Sequence, residues 1–427
     1  MKIAIAGSGI SGLTAARKLH DLGHSITLFE QADRTGGHTA TIDVEEAGRT
    51  LAIDTGFIVF NDWTYPNFIA LMNSLGVRSR PTRMSFSVSD QRSGLEYAGS
   101  SLNTLFAQRS NLLSPRFLGM LRHILRFNAD VENDLLAHPD LAGLPLGDYL
   151  QQRQYGAAFR DQYLIPMGAA IWSSREDNML KVPVGFFVRF FRNHGLLSIR
   201  NRPQWHVIEG GSRAYIAPLT AGFEDRIQLQ SPILQVQRTA TGVDVSTPTG
   251  TQRFDHLVFA CHSDQALRAL GGQASPLERK LLSAIPYERN EVVLHTDIRL
   301  LPANRRCWSS WNVSLGHSDD TRPRLTYNMN ILQGLESQKT YCVSLNQTSR
   351  IDPSTIIGVY QYDHPIFTIE GMQTQERWQD INGHGGIWYC GAWWRNGFHE
   401  DGVWSALRVA EAIEQCTRIP EQSHHAA

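Results

Sequence analysis

Lys2-Ile3-Ala4-Ile5-Ala6-Gly7-Ser8-Gly9-Ile10-Ser11-Gly12 opens the chain and decides its fold class. The first five residues are a short apolar run, the pattern of a strand buried on both faces of a parallel sheet. Glycines follow at once with GxGxxG spacing. Leu13-Thr14-Ala15-Ala16-Arg17-Lys18-Leu19 then carries apolar residues at helical spacing, ending near Gly23, a good C-cap residue. A second strand, Ser25 to Phe29, terminates in Glu30.

Each position has a physical task in a nucleotide-binding reading. Gly7 permits the tight turn out of the strand, Gly9 lets a diphosphate approach the backbone, and Gly12 lets helix and strand pack closely. Ile10 and Ser11 begin the helix, whose free N–H groups and positive dipole end point at the phosphates. Glu30 is placed to accept hydrogen bonds from ribose hydroxyls, and its charge disfavours a 2′-phosphate. The plain alternative is a glycine-rich turn without nucleotide. The strand before it, the helix after it and the acid at the expected distance all weigh against that alternative.

Composition bounds the rest. With 427 residues the chain is long enough for two or three domains and a sizeable core. The balance of 40 basic and 41 acidic side chains gives no general electrostatic reason to bind nucleic acid. Five scattered cysteines without a CxxC pair exclude neither fold nor redox chemistry, but they predict no metal site and a reducing compartment. Glycines and charges follow soon after the N-terminus, so no signal peptide is expected, and no apolar run approaches membrane-spanning length. The expectation is a cytoplasmic protein, with peripheral membrane contact left open.

Gln31-Ala32-Asp33-Arg34-Thr35-Gly36-Gly37-His38 extends the nucleotide unit with a second glycine pair and a cation. This resembles the flavin-containing amine oxidase superfamily, which also holds protoporphyrinogen oxidases and phytoene desaturases. The resemblance implies noncovalent FAD, with Glu30 and Gln31 at the adenosine ribose and Arg34, Gly36 and Gly37 at the diphosphate. His38 stands where the family often has arginine. Asp54-Thr55-Gly56-Phe57 looks like the family's stretch that brings backbone under the flavin ring. Trp205 to Arg213 resembles the return to the FAD domain. The strand-like Ile233 to Val236 makes Val236 a candidate for backbone contact with adenine. Phe254 to Ala260 reads as another buried strand, which ends at the cofactor candidate Ala260. Near the C-terminus, Gly386 to Gly391 is a strand leading to a turn. His399-Glu400-Asp401-Gly402-Val403 then begins a helix with acidic residues at its start. It is similar to the family's closing motif, which implies that Gly391, Asp401, Gly402 and Val403 lie by the flavin. Ala392 replaces the acid often found after that glycine. An ungapped count from Gly402 puts His399 where amine-oxidising relatives carry an aromatic residue.

Between about 76 and 204 the composition shifts to basic amphipathic stretches, notably Arg116 to Asn128 and Val182 to Arg192. They read as ordinary core-packed helices, or as walls of an apolar channel or a membrane-facing surface. Leu164 to Ser174 is expected to lend a loop to the site. Trp172 there is a candidate to lie over the flavin, or equally a core tryptophan. His399 is the candidate nearest the reacting carbon, as base, as pocket wall or as helix cap. His262 and His295 are expected to be structural.

The expected fold class is α/β: a Rossmann-like FAD-binding domain with a parallel sheet, plus an interleaved α+β substrate domain. The FAD domain is expected to use 1–75, 205–285 and 381–427, and the substrate domain 76–204 and 286–380. The expected activity is dehydrogenation of a hydrophobic small molecule, with acyl-chain or other lipid desaturation as the lean. An amine oxidase releasing hydrogen peroxide is the first alternative, and a relative that binds flavin or lipid without net oxidation is the second.

Overall fold

The computed structural model describes residues 1–316 and 324–422. Its organising layer is a five-stranded, all-parallel sheet: β1 (Lys2–Ala6), β2 (Ser25–Phe29), β3 (Ile227–Gln228), β4 (His256–Phe259) and β5 (Ile387–Tyr389), in the order β3-β2-β1-β4-β5. Ile3, Ala4 and Ile5 are fully buried because both faces of this sheet are covered, which is why the run lacks polar alternation. Helix α1 (Ile10–Asp21) lies on one face through Leu13, Ala15, Ala16 and Leu19. The three-stranded antiparallel meander 235–254 packs beside the same core.

A second, seven-stranded sheet comes from the segments 86–98 and 287–365. Its strand order is Ile356–Pro365, Tyr287–His295, Cys342–Leu345, Leu325–Asn328, Trp311–Leu315, Phe86–Asp90 and Leu95–Ala98. Its neighbours are antiparallel except for one parallel pair, Trp311–Leu315 with Phe86–Asp90. One face carries the helices of the insert, among them α2 (Pro115–Ala137), α3 (Ile165–Trp172) and α4 (Val184–Asn193), in a core of phenylalanines and tyrosines. Two short connections join the sheets: the hairpin Thr41–Glu46/Arg49–Asp54, and the small sheet in which Trp205–Ile208 pairs with Phe60–Asn61 and Ser79–Thr82.

One expectation is corrected here. Leu164 to Ser174 is not a loop: a π-type turn, Arg160–Leu164, runs directly into α3. Pro166 follows that π-type turn directly, with no N–H to donate back into it, and the continuous apolar run is buried around it. The chain leaves the helix through Ser173, at φ +50°.

Helix α5 (Ser263–Leu270) follows β4, and α6 (His399–Gln422) follows β5. α6 lies against α1, and Gly402 makes the crossing possible. A Cβ at 402 would stand 2.8 Å from both Ile10 Cγ2 and Ser11 Oγ. The start of α6 is thereby pressed onto the start of α1.

Candidate active site

The sheet reverses its direction of winding at β1, which has β2 on one side and β4 on the other. In open parallel sheets, ligands lie beyond the carboxyl ends of strands at such a point. A cavity of about 570 Å³ occurs there. The ends of β1, β4 and β5 open onto it through Gly7, Ala260 and Gly391.

At its first end, Gly7 (φ +102°) turns the chain out of β1 and donates its N–H to Phe29 O at 2.8 Å. Gly9 precedes α1 at φ −66°, and a Cβ added there would have nothing within 4 Å. Gly12 is different: its Cβ would stand 1.8 Å from Gly7 O. Glu30 is buried and held rigidly. One carboxylate oxygen accepts from Ser8 N (2.8 Å) and Ser8 Oγ (2.6 Å), and the other accepts from Ala32 N (2.8 Å). Arg34 spends its donors on carbonyls of the following turn, Thr39 O (3.0 Å) and Gly37 O (2.8 Å). It therefore clamps the pair Gly36 and Gly37, and Gly37 lies against Gly9, with only 3.2 Å from its would-be Cβ to Gly9 Cα.

The middle of the cavity is a cluster of histidines. His38 lies 5.5 Å from His364, 6.1 Å from His262 and 5.1 Å from Tyr362, ring centre to ring centre. Burial lowers all three imidazole pKa values, His364 to about 4, with repulsion from neighbouring histidines adding to the effect at His38 and His364. They are neutral at pH 7. His262, expected to be structural, lines the cavity and stacks on Tyr287 at 4.3 Å. His295 does have a structural place, between Ser344 Oγ and Asp297 N.

The far end is aromatic. Trp172 packs on Phe190 (4.6 Å), and Trp311, Tyr327, Leu332, Phe367 and Phe398 complete the wall. Phe398, which the ungapped count passed over, places its ring 5.5 Å from Phe190. His399 also lines the cavity but points back into the first domain. Its Nε2 is 3.1 Å from both Thr39 Oγ1 and Tyr215 OH, and its ring stacks on Phe57 at 3.5 Å.

Of the expected cofactor residues, the cavity wall contains Gly7, Gly9, Ile10, Ser11, Glu30, Gln31, Arg34, Gly36, Gly37, His38, Gly56, Phe57, Ala260 and Gly391. The others stand behind it. Asp54 is buried, accepting from Thr41 Oγ1 (2.6 Å), Ser212 N (2.8 Å) and Gln333 Nε2 (2.9 Å), and burial pushes its carboxyl up to about 6. Thr55 bonds Tyr362 OH at 2.9 Å. Val236 is fully buried in the strand Gln235–Thr239, and the wall at that level is Ser231, Pro232 and Ile233. Asp401, pushed up to about 7 by burial, accepts from Phe398 N (2.9 Å) and so shapes the start of α6, where Val403 is core.

Burial pushes the His399 imidazole down to about 3. The unfolded chain, at about 6.5, takes up this proton when the folded protein does not, so stability is lost as pH falls below 6.5. His399→Phe removes that group. The wild-type advantage in unfolding free energy is expected to shrink by about 1.4 kcal/mol per pH unit between roughly pH 6 and 4. Urea titrations at several pH values measure it, and a pH-independent difference contradicts the buried neutral ring.

These residues fit a dinucleotide. Open space over Gly9, a helix N-terminus behind it and a fixed carboxylate at Glu30 suit a diphosphate joined to a ribose. Fold and site together define a two-domain nucleotide-cofactor protein with an aromatic pocket facing the cofactor cleft.

The chain belongs to the flavin containing amine oxidoreductase family, whose model matches residues 10–293. FAD is its cofactor, and noncovalent binding is typical of the family. Cys261 lines the cavity, but burial pushes its thiol up to about 12, which leaves it a poor nucleophile. AofH of Mycobacterium tuberculosis, named as a flavin-containing monoamine oxidase, is 25% identical over 267 residues, 60% of this chain and 56% of that protein. The chain thus spans little more than half the length of that relative. The cyclohexylamine oxidase of Brevibacterium oxydans IH-35A superposes with a TM-score of 0.68 at 16% identity, covering 97% of this chain and 99% of the other. A fatty acid isomerase of P. acnes that produces CLA gives 0.67 at 16% identity, covering 97% and 98%. These two structures speak for the fold alone.

Proposed function

We propose that this flavoprotein dehydrogenates a hydrophobic small molecule, with an acyl chain or similar lipid as the substrate class. One observation carries the reading. The cavity wall includes Trp172, Trp311, Tyr327, Leu332, Phe367 and Phe398, and the two acids that line it are both engaged: Glu30 by Ser8 and Ala32, and Asp363 by Arg289 at 3.2 Å. Such a wall rewards apolar surface and offers an ammonium group no free carboxylate. On this reading residues 76–204 and 286–380 supply the substrate side, and 1–75, 205–285 and 381–427 the cofactor side.

Bound FAD supplies the hydride acceptor. The chain's own residues bind and orient the substrate and keep water out. Trp172 and Phe398 hold the substrate against the cleft. His399 acts as a positioning residue: its Nε2 is engaged with Thr39 and Tyr215, and its ring supports Phe57 beneath the glycine turns.

The test is anaerobic bleaching of the oxidised protein by fatty acids and lipid extracts beside a panel of primary, secondary and polyamines. Bleaching by lipids is expected. Bleaching by amines alone, with peroxide released on admitting air, would replace this reading with amine oxidation. Phe398→Ala is expected to lower kcat/KM by roughly 10- to 100-fold, the loss of one buried aromatic contact, with flavin content unchanged.

A further inference from the structure

Five of the fifteen large hydrophobic side chains exposed among the described residues fall within 102–125: Leu102 (75% exposed), Leu112, Leu113 (87%), Leu118 and Leu125. They form one surface. On α2, Phe117, Met120, Phe127 and Val131 point into the core, so Leu118, Arg122 and Leu125, spaced i, i+4, i+7, share the outer face. The 3₁₀ turn Arg109–Leu113 leads into that helix and presents Leu112 and Leu113 beside it. Arg109 ties the turn to the short helix bearing Leu102 through a 2.6 Å bond to Asn103 Oδ1.

The charge of this surface is one-sided. From Tyr97 to Ala129 there are four arginines (Arg109, Arg116, Arg122, Arg126) and no Asp or Glu, in a chain whose net charge is −1. Arg109, Arg116 and Arg122 are exposed and make no ion pair with a described residue. Leucines standing out of a fold among unpaired arginines match a bilayer interface, where the apolar groups enter the acyl boundary and the cations meet anionic headgroups. A second copy of the chain fits poorly, because a twofold contact would set this cationic patch against itself.

We propose that the surface 102–125 docks the protein peripherally on an anionic lipid bilayer. The inference is independent of the reaction proposed above and stands whether the substrate is a lipid or an amine. No helix of the described residues is long and apolar enough to cross a membrane, so α2 lies along the surface. Its inner face belongs to the core that also contains Trp172 and Phe367 of the pocket.

The test is co-sedimentation of the flavin-loaded protein with two kinds of vesicle: phosphatidylcholine alone, and phosphatidylcholine with about one-third phosphatidylglycerol. Binding to the anionic vesicles, weakened by salt, is expected, with the protein left in solution beside the neutral ones. Leu112→Ser with Leu113→Ser is expected to lower the partition coefficient about tenfold or more. Arg116→Ser and Arg122→Ser are each expected to lower it about fivefold. All four side chains are exposed, so flavin absorbance and melting temperature are expected to hold, and the arginine pair gives a second route should the leucine pair misfold. Equal behaviour with both vesicle types, or no binding to either, overturns the proposal. So does a wild-type dimer that the leucine variant converts to monomer in sedimentation velocity, which would make a second copy the occupant.

Discussion

Gly9→Val is expected to yield a folded protein that has lost its flavin. Gly9 has extended backbone angles (φ −66°, ψ 178°) that valine adopts without strain, and a Cβ there meets no protein atom within 4 Å. The protein itself therefore loses little, about 1 kcal/mol for a poorer residue at the start of α1. In the cofactor reading proposed for this turn, the open space is where a diphosphate would approach the N–H groups of that helix. Two branched methyls fill it and displace two or three charge-assisted hydrogen bonds at roughly 1.5–3 kcal/mol each. FAD affinity is then expected to fall about a thousandfold or more. Flavin absorbance after gel filtration and the melting temperature of flavin-stripped proteins measure the two halves. A Gly9→Val protein that keeps its yellow colour would remove the cofactor from this turn.

Gly12→Val, three residues on in the same motif, is expected to fail in the opposite way. Its Cβ would lie 1.8 Å from Gly7 O and 3.2 Å from the Ala260 Cβ. Neither neighbour can yield, because Gly7 is pinned by its bond to Phe29 O and the Ala260 N–H is bonded to Ala6 O. Helix α1 has to lift off the sheet, in the most buried part of the molecule. A loss of about 4 kcal/mol or more is expected, with the flavin-free protein already destabilised. Chemical denaturation of stripped wild type and variant checks it. Equal midpoints would mean that helix and strand are not packed this closely.

The contrast shows what a motif conveys. GxGxxG announced a strand, a turn and a helix, and Glu30 completed the unit, because these relations are local and their geometry follows from residue type. The second glycine pair and the helix start at His399 were legible for the same reason. The pocket was legible only in part. His364, Tyr362 and Phe367 come from the region of the strand Ile356–Pro365 and its exit, and Trp311 from another strand of the same sheet. No local pattern announces that these will face residues 7 to 60. His262 carried a readable signal, since it follows directly on the carboxyl end of a parallel strand. Phe398 carried one too, as the aromatic residue between Gly397 and His399 at the start of α6. Asp54 was legible only in part, because a buried carboxylate in a glycine-rich stretch looks the same whether it meets a ligand or protein groups such as Ser212 and Gln333.

By itself the sequence determined the local machinery: which segment makes a strand, a glycine turn and a helix, which carboxylate stands at the end of β2, and which stretch is a basic, amphipathic insert. Such features depend on backbone conformation and side-chain period over a dozen residues. Tertiary structure alone decided that α1 and α6 meet at Ile10 and Gly402, and that His399 turns its Nε2 to Thr39 and Tyr215. It alone decided, too, that a neutral histidine cluster separates the glycine turns from the aromatic wall. Each of those outcomes is a contact between residues hundreds of positions apart, chosen by how two cores close on each other.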